Sequence, residues 1–579
     1  MSKVENAADM EPDFDEVIHA TGYFGRYHAL QGTLQMLIGF SVAFPLLSIV
    51  FTGYEVPHRC KELGNITSDH LQHVVINNST SLEYGECQIE VENNISGVVK
   101  KDYLHCVAGH NYSQPTYVSF VAEWDLVCEM AGLGELSQTV MMLGQGFGGL
   151  IFSILADKYG RKPVYIATLF GLSALCFGMA FSNGILVYII IRFLIGGFQQ
   201  GSGLTAYTIF VEMLTTEHRP LAGTVGGVVW SLSVMTLAPI AYLMKDFSWR
   251  YLQIALSVVT LYVFVLYCTL DESLRWLLAN NKRDECRRII RKATSMNTSN
   301  VRKALDVFER TSGTVCKAVV VEPSNTVDKV TDGDSSLLVN DVKVDGGTEG
   351  RVDSSQKYTI LDLFRHKAIL YTSAITWYIW TVNSLTYYGL FLTATSLAGD
   401  RFLNFFLSCV VEIPGTVSVY FMLKRFGRRQ VAMIYHFMAG ASLILSVIIL
   451  TTAGDTRAGS SLATALNMFG KFSITGSFNA LFIYSPELFP TNLRTAGLGM
   501  GSAMSRIGGM TAPYSDRLAD KVIWGPGALF GTLCLIATFL IRYLPETKGR
   551  ELPTTIEEIN EMYTRKRKPK MKDGKQDDG

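Results

Sequence analysis

Twelve runs of mostly apolar residues alternate with polar segments along the 579-residue chain. A bilayer's hydrocarbon core is crossed by roughly 20 apolar residues in a helix. The first six runs begin near Leu30, Ser137, Val164, Leu186, Leu221 and Tyr251, and the last six near Ala368, Phe402, Val431, Leu462, Ala496 and Ile523. Backbone polar groups find no water partner in lipid, so runs this apolar must satisfy them internally, as helices. The pattern predicts an all-α membrane protein: a cytoplasmic N-terminal segment 1–29, a six-helix half 30–271, a cytoplasmic linker 272–367, a second six-helix half 368–544 and a basic cytoplasmic tail 545–579.

Composition agrees. Charged residues make up 18% of the chain and apolar ones 48%, whereas a soluble protein carries about 25% charged residues. Lys+Arg and Asp+Glu balance at 51 each, so the lipid bilayer is an expected partner and nucleic acid is not. The first segment carries Glu5, Asp9, Glu11, Asp13, Asp15 and Glu16, the wrong sign for a cleaved leader.

Basic residues set the orientation. Lys158, Arg161 and Lys162 follow span 2, Arg219 follows span 4, and Lys282–Arg310 follows span 6. Lys424, Arg425, Arg428 and Arg429 follow span 8, and Arg494 follows span 10. All fall on one side, which the positive-inside rule makes cytoplasmic, and both termini lie there too. The opposite side holds a long polar loop, about residues 53–135, with Cys60, Cys87, Cys106 and Cys128 and with glycosylation sequons at Asn65, Asn77, Asn78, Asn94 and Asn111. Disulfides are expected there in any of three pairings. The sequon at Asn297 falls on the cytoplasmic side and is expected to be silent. Residues 272–310 read as short basic helices on the cytoplasmic face, 311–357 as a flexible linker, and the polybasic tail as a solvated segment attracted to anionic lipid.

The two halves repeat. Asp157-Lys158-Tyr159-Gly160-Arg161-Lys162 after span 2 matches Lys424-Arg425-Phe426-Gly427-Arg428-Arg429 after span 8, the glycines lying 267 residues apart. Glu212 and Arg219 match Glu487 and Arg494 at an offset of 275, and Glu272 matches Glu546 at 274. Duplicated halves around a midplane site are the architecture of secondary transporters. The acidic and basic residues at the cytoplasmic helix ends, Asp157 with Arg161, Glu212 with Arg219, Glu487 with Arg494, and Lys424 and Arg428 beside them, are candidate latches that pair across the halves when the protein opens outward.

With these motifs in view the chain resembles the major facilitator superfamily, and within it the organic cation/carnitine/anion (zwitterion) transporter family. The motif after span 2 is similar to the superfamily's D-R-x-G-R-K. Glu123-Trp124-Asp125-Leu126-Val127-Cys128 is similar to the family's E-W-N-L-V-C. Glu272-Ser273-Leu274-Arg275-Trp276-Leu277-Leu278 looks like its P-E-S-P-R-W-L-L without the prolines, and Glu487-Leu488-Phe489-Pro490-Thr491 before Arg494 looks like its E-L-Y-P-T-x-x-R. The resemblance implies the twelve-helix major facilitator fold, the plasma membrane and transport of a small organic ion.

Charges inside spans are costly and mark function by default. There are four: Arg192, Glu412, Lys471 and Arg506. They are expected to point into the bundle, toward one another or a watery cavity. The resemblance implies that Arg506 stands where cation carriers have aspartate and the carnitine and anion branches have arginine, while Glu412 matches the cation and carnitine branches. An internal cation beside an internal anion suits a zwitterion, with the arginine fork on its carboxylate. The resemblance also places Trp380, Tyr387 and Tyr207 in the cavity lining, where aromatic faces attract a quaternary ammonium. Val42 stands near an asparagine that some relatives associate with sodium, which leaves sodium coupling open.

The sequence therefore predicts a multi-pass carrier of carnitine-like zwitterions or organic cations that works by alternating access, as a monomer by default. The alternatives are a polyspecific organic cation or anion carrier and a receptor that binds without translocating. No enzyme, cofactor or metal is expected, since no P-loop, H-E-x-x-H, G-x-S-x-G or paired metal-ligand spacing occurs.

Overall fold

The computed structural model describes residues 14–63, 80–95, 98–320, 365–394, 399–490, 493–550, 553, 558–559 and 562–563. Each predicted run carries a helical stretch. In the first half these are Arg26–Thr52, Leu133–Tyr159, Arg161–Met179, Ile185–Glu212, Arg219–Leu243 and Trp249–Thr269. In the second they are Lys367–Leu392, Arg401–Arg425, Arg428–Ala453, Arg457–Glu487, Arg494–Thr511 and Gly525–Ile541. They are numbered spans 1 to 12. Among the described residues, eight are long and apolar enough to cross a membrane. Spans 7, 10 and 11 carry more polar and small residues, and span 12 is shorter.

Three spans are interrupted, span 6 by a 3-10 turn at Val259–Tyr262. Span 1 breaks at Leu37 and again at Ser48, with Pro45 between. Span 8 breaks at Val411, just before Glu412 and Pro414. The Pro414 ring clashes with the carbonyl four residues back, that of Val410, and donates no hydrogen bond, so span 8 yields there. Spans 2 and 4 cross closely because a Cβ on Gly144 or Gly148 would run into the backbone of Phe193 or Gly197. Small residues at such crossings let helix backbones touch in lipid.

The outer ends of the halves are joined. Phe51 of span 1 stacks on Phe402 of span 8 at 5.2 Å, Tyr242 of span 5 meets Phe402 edge-on at 5.6 Å, and Arg401 lies 3.7 Å over the Tyr54 ring. Thr139 Oγ1 of span 2 donates to the Met510 carbonyl of span 11 at 2.9 Å.

The outer loop is a small β module, which its polar sequence did not reveal. β1 (His58–Cys60) pairs with a late strand, His110–Tyr112, while β2 (Thr80–Tyr84), β3 (Gln88–Ile95) and β4 (Val98–His105) form an antiparallel meander. Its core is little more than Cys60, Ile89, Val91 and Leu104. Disulfides supply what so small a core cannot, and the four cysteines pair Cys60–Cys106 and Cys87–Cys128. Glu123 ties the module to span 6, accepting from Trp249 Nε1 at 2.5 Å and Arg250 Nη2 at 2.7 Å. Asn111 stands exposed on the last strand, β5 (His110–Tyr112). Asn94 lies in β3, and Asn65, Asn77 and Asn78 lie outside the described residues. Asn111→Gln is expected to raise gel mobility of surface protein by one glycan. No shift, with glycosidase-sensitive mobility retained, would leave Asn111 unoccupied.

On the side expected to be cytoplasmic the basic helices appear as Leu274–Ala279, Arg283–Asn297 and Val301–Val320, packed with a helix at Phe14–Ala20 around Val17, Ile18, Leu277, Ile290 and Phe308. Asn297 has a structural task there. Its amide donates to the Thr21 and Gly22 carbonyls at 2.9 and 3.0 Å and accepts from the Tyr27 backbone at 2.8 Å. Most of 311–357 and the polybasic tail fall outside the described residues.

Candidate functional site

The four charges inside the spans sort into three arrangements. Arg192 is fully buried in span 4, where its guanidinium donates to the Pro45 carbonyl at 2.7 Å and to Gln138 Oε1 at 2.6 Å. It fastens the interrupted part of span 1 to span 2.

Glu412 and Lys471 point at one another, as charges at that depth must. Their side chains lie 3.1 Å apart at 0% and 1% exposure. Ser231 of span 5 donates to the other carboxylate oxygen at 3.1 Å, which brings the N-terminal half to the pair. Lys471 Nζ donates to the Tyr387 carbonyl at 3.0 Å and sits 3.5 Å over the Tyr387 ring and 3.2 Å over Phe391. Trp230 Nε1 of span 5 donates to Tyr387 Oη at 2.7 Å. Glu412 and Tyr387 were expected to face an incoming ammonium. In this conformation Lys471, a cation of the protein itself, occupies both.

Arg506 differs. It is half-buried in span 11, and its described partners are neutral: Nη1 donates to Gln145 Oε1 of span 2 and Nη2 to Gln200 Oε1 of span 4 at 3.1 Å. Gln145 passes the network on to Gln199 at 2.7 Å. Two of the five guanidinium N–H groups are thus directed at amide oxygens across the two halves.

The aromatic residues divide. Trp380 is 1% exposed, with its indole N–H on Ser485 Oγ at 2.9 Å and its ring edge-on to Phe482 at 4.9 Å. It packs between spans 10 and 11. Tyr207 lies apart from this cluster, 54% exposed on span 4. Asn383, not singled out in the sequence, lies between Trp380 and Tyr387 on one face of span 7 by helical spacing. It is fully buried, and neither amide atom has a hydrogen-bond partner among the described residues. An unpaired buried amide costs about 1–3 kcal/mol. Its cost marks a place where a bound polar group would be stabilised.

At the ends expected to be cytoplasmic the repeated motifs converge within each half. Arg161 holds Asp157 at 3.0 Å and Glu212 at 3.4 Å, while Glu272 accepts the backbone N–H groups of Arg161 and Lys162, each at 3.1 Å, and so caps span 3. Gly160 makes room: its φ is +113°, and a Cβ there would stand 2.6 Å from Glu272 Oε2. Burial pushes the Glu272 carboxyl above the usual range, against the backbone donors and Arg161 that pull it down. In the second half Arg428 lies 3.4 Å from Glu487, Thr547 Oγ1 donates to Glu487 at 2.5 Å, and Gly427 receives Glu546. The pairing expected of Glu487 with Arg494 is corrected accordingly, while that of Glu212 with Arg219 falls on a side chain outside the described residues. Glu212 meets Arg161, and Glu487 meets Arg428. Arg494 donates to the Pro486 carbonyl at 3.1 Å, Lys424 sits 4.1 Å over the Tyr420 ring, and the Arg219 side chain lies outside the described residues. Each of these pairs stays within one half, and none crosses to the other. Glu272 and Glu546 belong to the same clusters. Their near-constant offset from the other motif residues was the signal for it.

Residues 130–513 match the family model of the Major Facilitator Superfamily. The chain is 32% identical to the Organic cation transporter protein of Drosophila melanogaster, over 94% of each chain, and 28% identical to the human Organic cation/carnitine transporter 2, again over 94% of each. The inward open conformation of the xylose transporter XylE from E. coli superposes with a TM-score of 0.56 at 14% identity, covering 92% of this chain and 98% of that one, a likeness of fold.

Proposed function

The chain belongs to the major facilitator superfamily, as a transporter and not an enzyme, and from that premise we propose that it carries small organic ions bearing a carboxylate across the plasma membrane by alternating access, with both termini cytoplasmic. The observation that carries the choice of substrate is Arg506. Glu412 and Lys471 cancel one another and the fully buried Arg192 is taken up by Pro45 and Gln138, which leaves Arg506 as a half-buried cation whose described partners are neutral. A carboxylate losing its water is offset there by paired charge-assisted bonds. A simple cation is repelled.

The ammonium of a carnitine-like zwitterion competes with Lys471 for Glu412 and the face of Tyr387, or stacks on Tyr207. Asn383 offers its free amide between Trp380 and Tyr387, and Trp380 keeps that face of span 7 in place. A second reading, an organic anion carrier, draws on the same uncancelled positive charge. Two observations support an inward-facing state: aromatic and hydrogen-bonded contacts join the outer ends, and the cytoplasmic clusters close within their own halves.

Voltage separates the substrate classes, because one charge crossing 100 mV is worth about 2.3 kcal/mol. Uptake of a zwitterion carried alone should be insensitive to potassium depolarisation, and uptake of a lone anion should rise. Inhibition of uptake by depolarisation, persisting after sodium replacement, contradicts both forms and points to a cation carrier. The clusters give a further expectation. Glu487→Gln should weaken the hold on Arg428 by about 1 kcal/mol. The altered balance of states should appear as changed alkylation of a cysteine placed in the outer vestibule. Unchanged alkylation and uptake would make the cluster a static anchor.

A further inference from the structure

Outside the membrane two histidines meet over one sulfur. Pairing of β1 with β5 brings the His58 and His110 rings to 5.2 Å at an interplanar angle of 89°. Each ring has an oxygen at Nδ1: Asp125 Oδ1 at 2.9 Å for His110, and the Val56 carbonyl at 3.2 Å, with Glu55 at 3.6 Å, for His58. An acceptor at Nδ1 holds the ring proton there and leaves Nε2 with its lone pair, the arrangement that orients metal-binding imidazoles. Tyr112 Oη donates to the same Asp125 oxygen at 2.5 Å. Both Nε2 atoms converge on Cys128 Sγ, at 3.8 Å from His58 and 3.5 Å from His110. That sulfur is bridged to Cys87 and has no proton to offer. His58 is 6% exposed and the His110 side chain 10%, so bulk water is a poor substitute.

The distances from both Nε2 atoms to Cys128 Sγ, and between the two rings, are those of ligands on one tetrahedral ion. Zinc bonds of about 2.0–2.1 Å to nitrogen and about 2.3 Å to sulfur put N and S roughly 3.6 Å apart and two imidazole centroids roughly 5.2 Å apart. The ligand atoms of His58, Cys87 and Cys128 all lie within 4.8 Å of one another. We propose that His58, His110, Cys87 and Cys128 form a Cys2His2 zinc site whenever Cys87 and Cys128 are in the dithiol form. The disulfide and the zinc ion are then alternative fastenings of the same outer module, and one excludes the other.

The chemistry balances. A newly made chain presents both thiols before the bridge closes. In the finished protein a trialkylphosphine opens it: phosphorus is oxidised to the phosphine oxide with oxygen from water, the S–S bond is reduced, and two thiols result. Zinc then displaces their two protons to solvent, and the sulfurs part to roughly 3.8 Å, as two thiolates on one zinc require.

The test uses the full-length protein in detergent, reduced with phosphine under argon and loaded with zinc, or with cobalt as a spectroscopic probe. The oxidised protein should retain no zinc at this site. The reduced protein should hold one tightly bound equivalent, with the absorption of tetrahedral cobalt bound to thiolate when cobalt is used. His58→Ala and His110→Ala should each weaken zinc binding about 100-fold or more. Cys60→Ser/Cys106→Ser should leave the equivalent in place. Should that double variant fail to fold, the cobalt spectrum of the reduced wild type against the histidine variants decides. A spectrum and stoichiometry indifferent to both histidines, or no metal held after reduction, overturns the proposal.

Discussion

Arg506→Ala is expected to cut uptake of a carnitine-like zwitterion at least tenfold while sparing an ammonium that lacks the carboxylate. The wild-type guanidinium is held by Gln145 and Gln200 with donors to spare, so the side chain is already oriented and a carboxylate adds two charge-assisted bonds. Losing such an interaction costs about 1.5–3 kcal/mol, or roughly ten- to a hundredfold. Arg506→Lys should recover little, because an ammonium cannot reproduce the planar fork that spans two glutamines and a carboxylate. Arg506→Asp should turn the preference toward cations. Equal losses for both substrates in Arg506→Ala, at normal surface level, would make the arginine a tie between the halves and nothing more.

Lys471→Met should be the most destabilising single change in the bundle. It leaves the Glu412 carboxylate buried without its lysine, beside the Ser231 and Tyr387 hydroxyls. Breaking a buried ion pair from one side costs about 3–5 kcal/mol, whereas replacing both charges is often neutral. Glu412→Gln/Lys471→Met should therefore regain most of the thermal stability lost in Lys471→Met alone. A quaternary ammonium ligand should also stabilise Lys471→Met more than wild type, since it takes the place vacated beside Glu412 and over Tyr387. Additive losses in the double variant would show that the two charges do not act as a pair.

Much of this was legible in the chain. Hydrophobic runs pointed to a helical stretch in each of twelve places, with starts good to a few residues, although span 1 begins at Arg26 and span 10 at Arg457. The repeat offset announced that Gly160, Glu212 and Glu272 have counterparts in Gly427, Glu487 and Glu546. It did not say that the members of each set touch. Proximity along the chain pointed to Arg219 for Glu212, whose side chain lies outside the described residues, and did not show that the turn at Gly160 delivers Arg161 to the same carboxylate. The depth of Lys471 and Glu412 was visible in the sequence, but which charges meet depends on helix rotation and on the break at Val411 before Pro414. The strands of the outer module were hidden because they are short and polar, with hardly any apolar alternation to betray a buried face. The same blindness hid the histidine pair, since His58 and His110 become neighbours only through strand pairing. Asn297, a sequon expected to be silent, is a side chain folded into a turn.

The most direct test of the central claim is uptake into proteoliposomes of purified wild-type protein, comparing labelled carnitine with a labelled quaternary ammonium of similar size that lacks the carboxylate. The account predicts saturable, temperature-dependent accumulation of the carboxylate-bearing compound at a rate at least tenfold that of the plain cation. Faster uptake of the plain cation, or binding of carnitine without entry into the lumen, would contradict it.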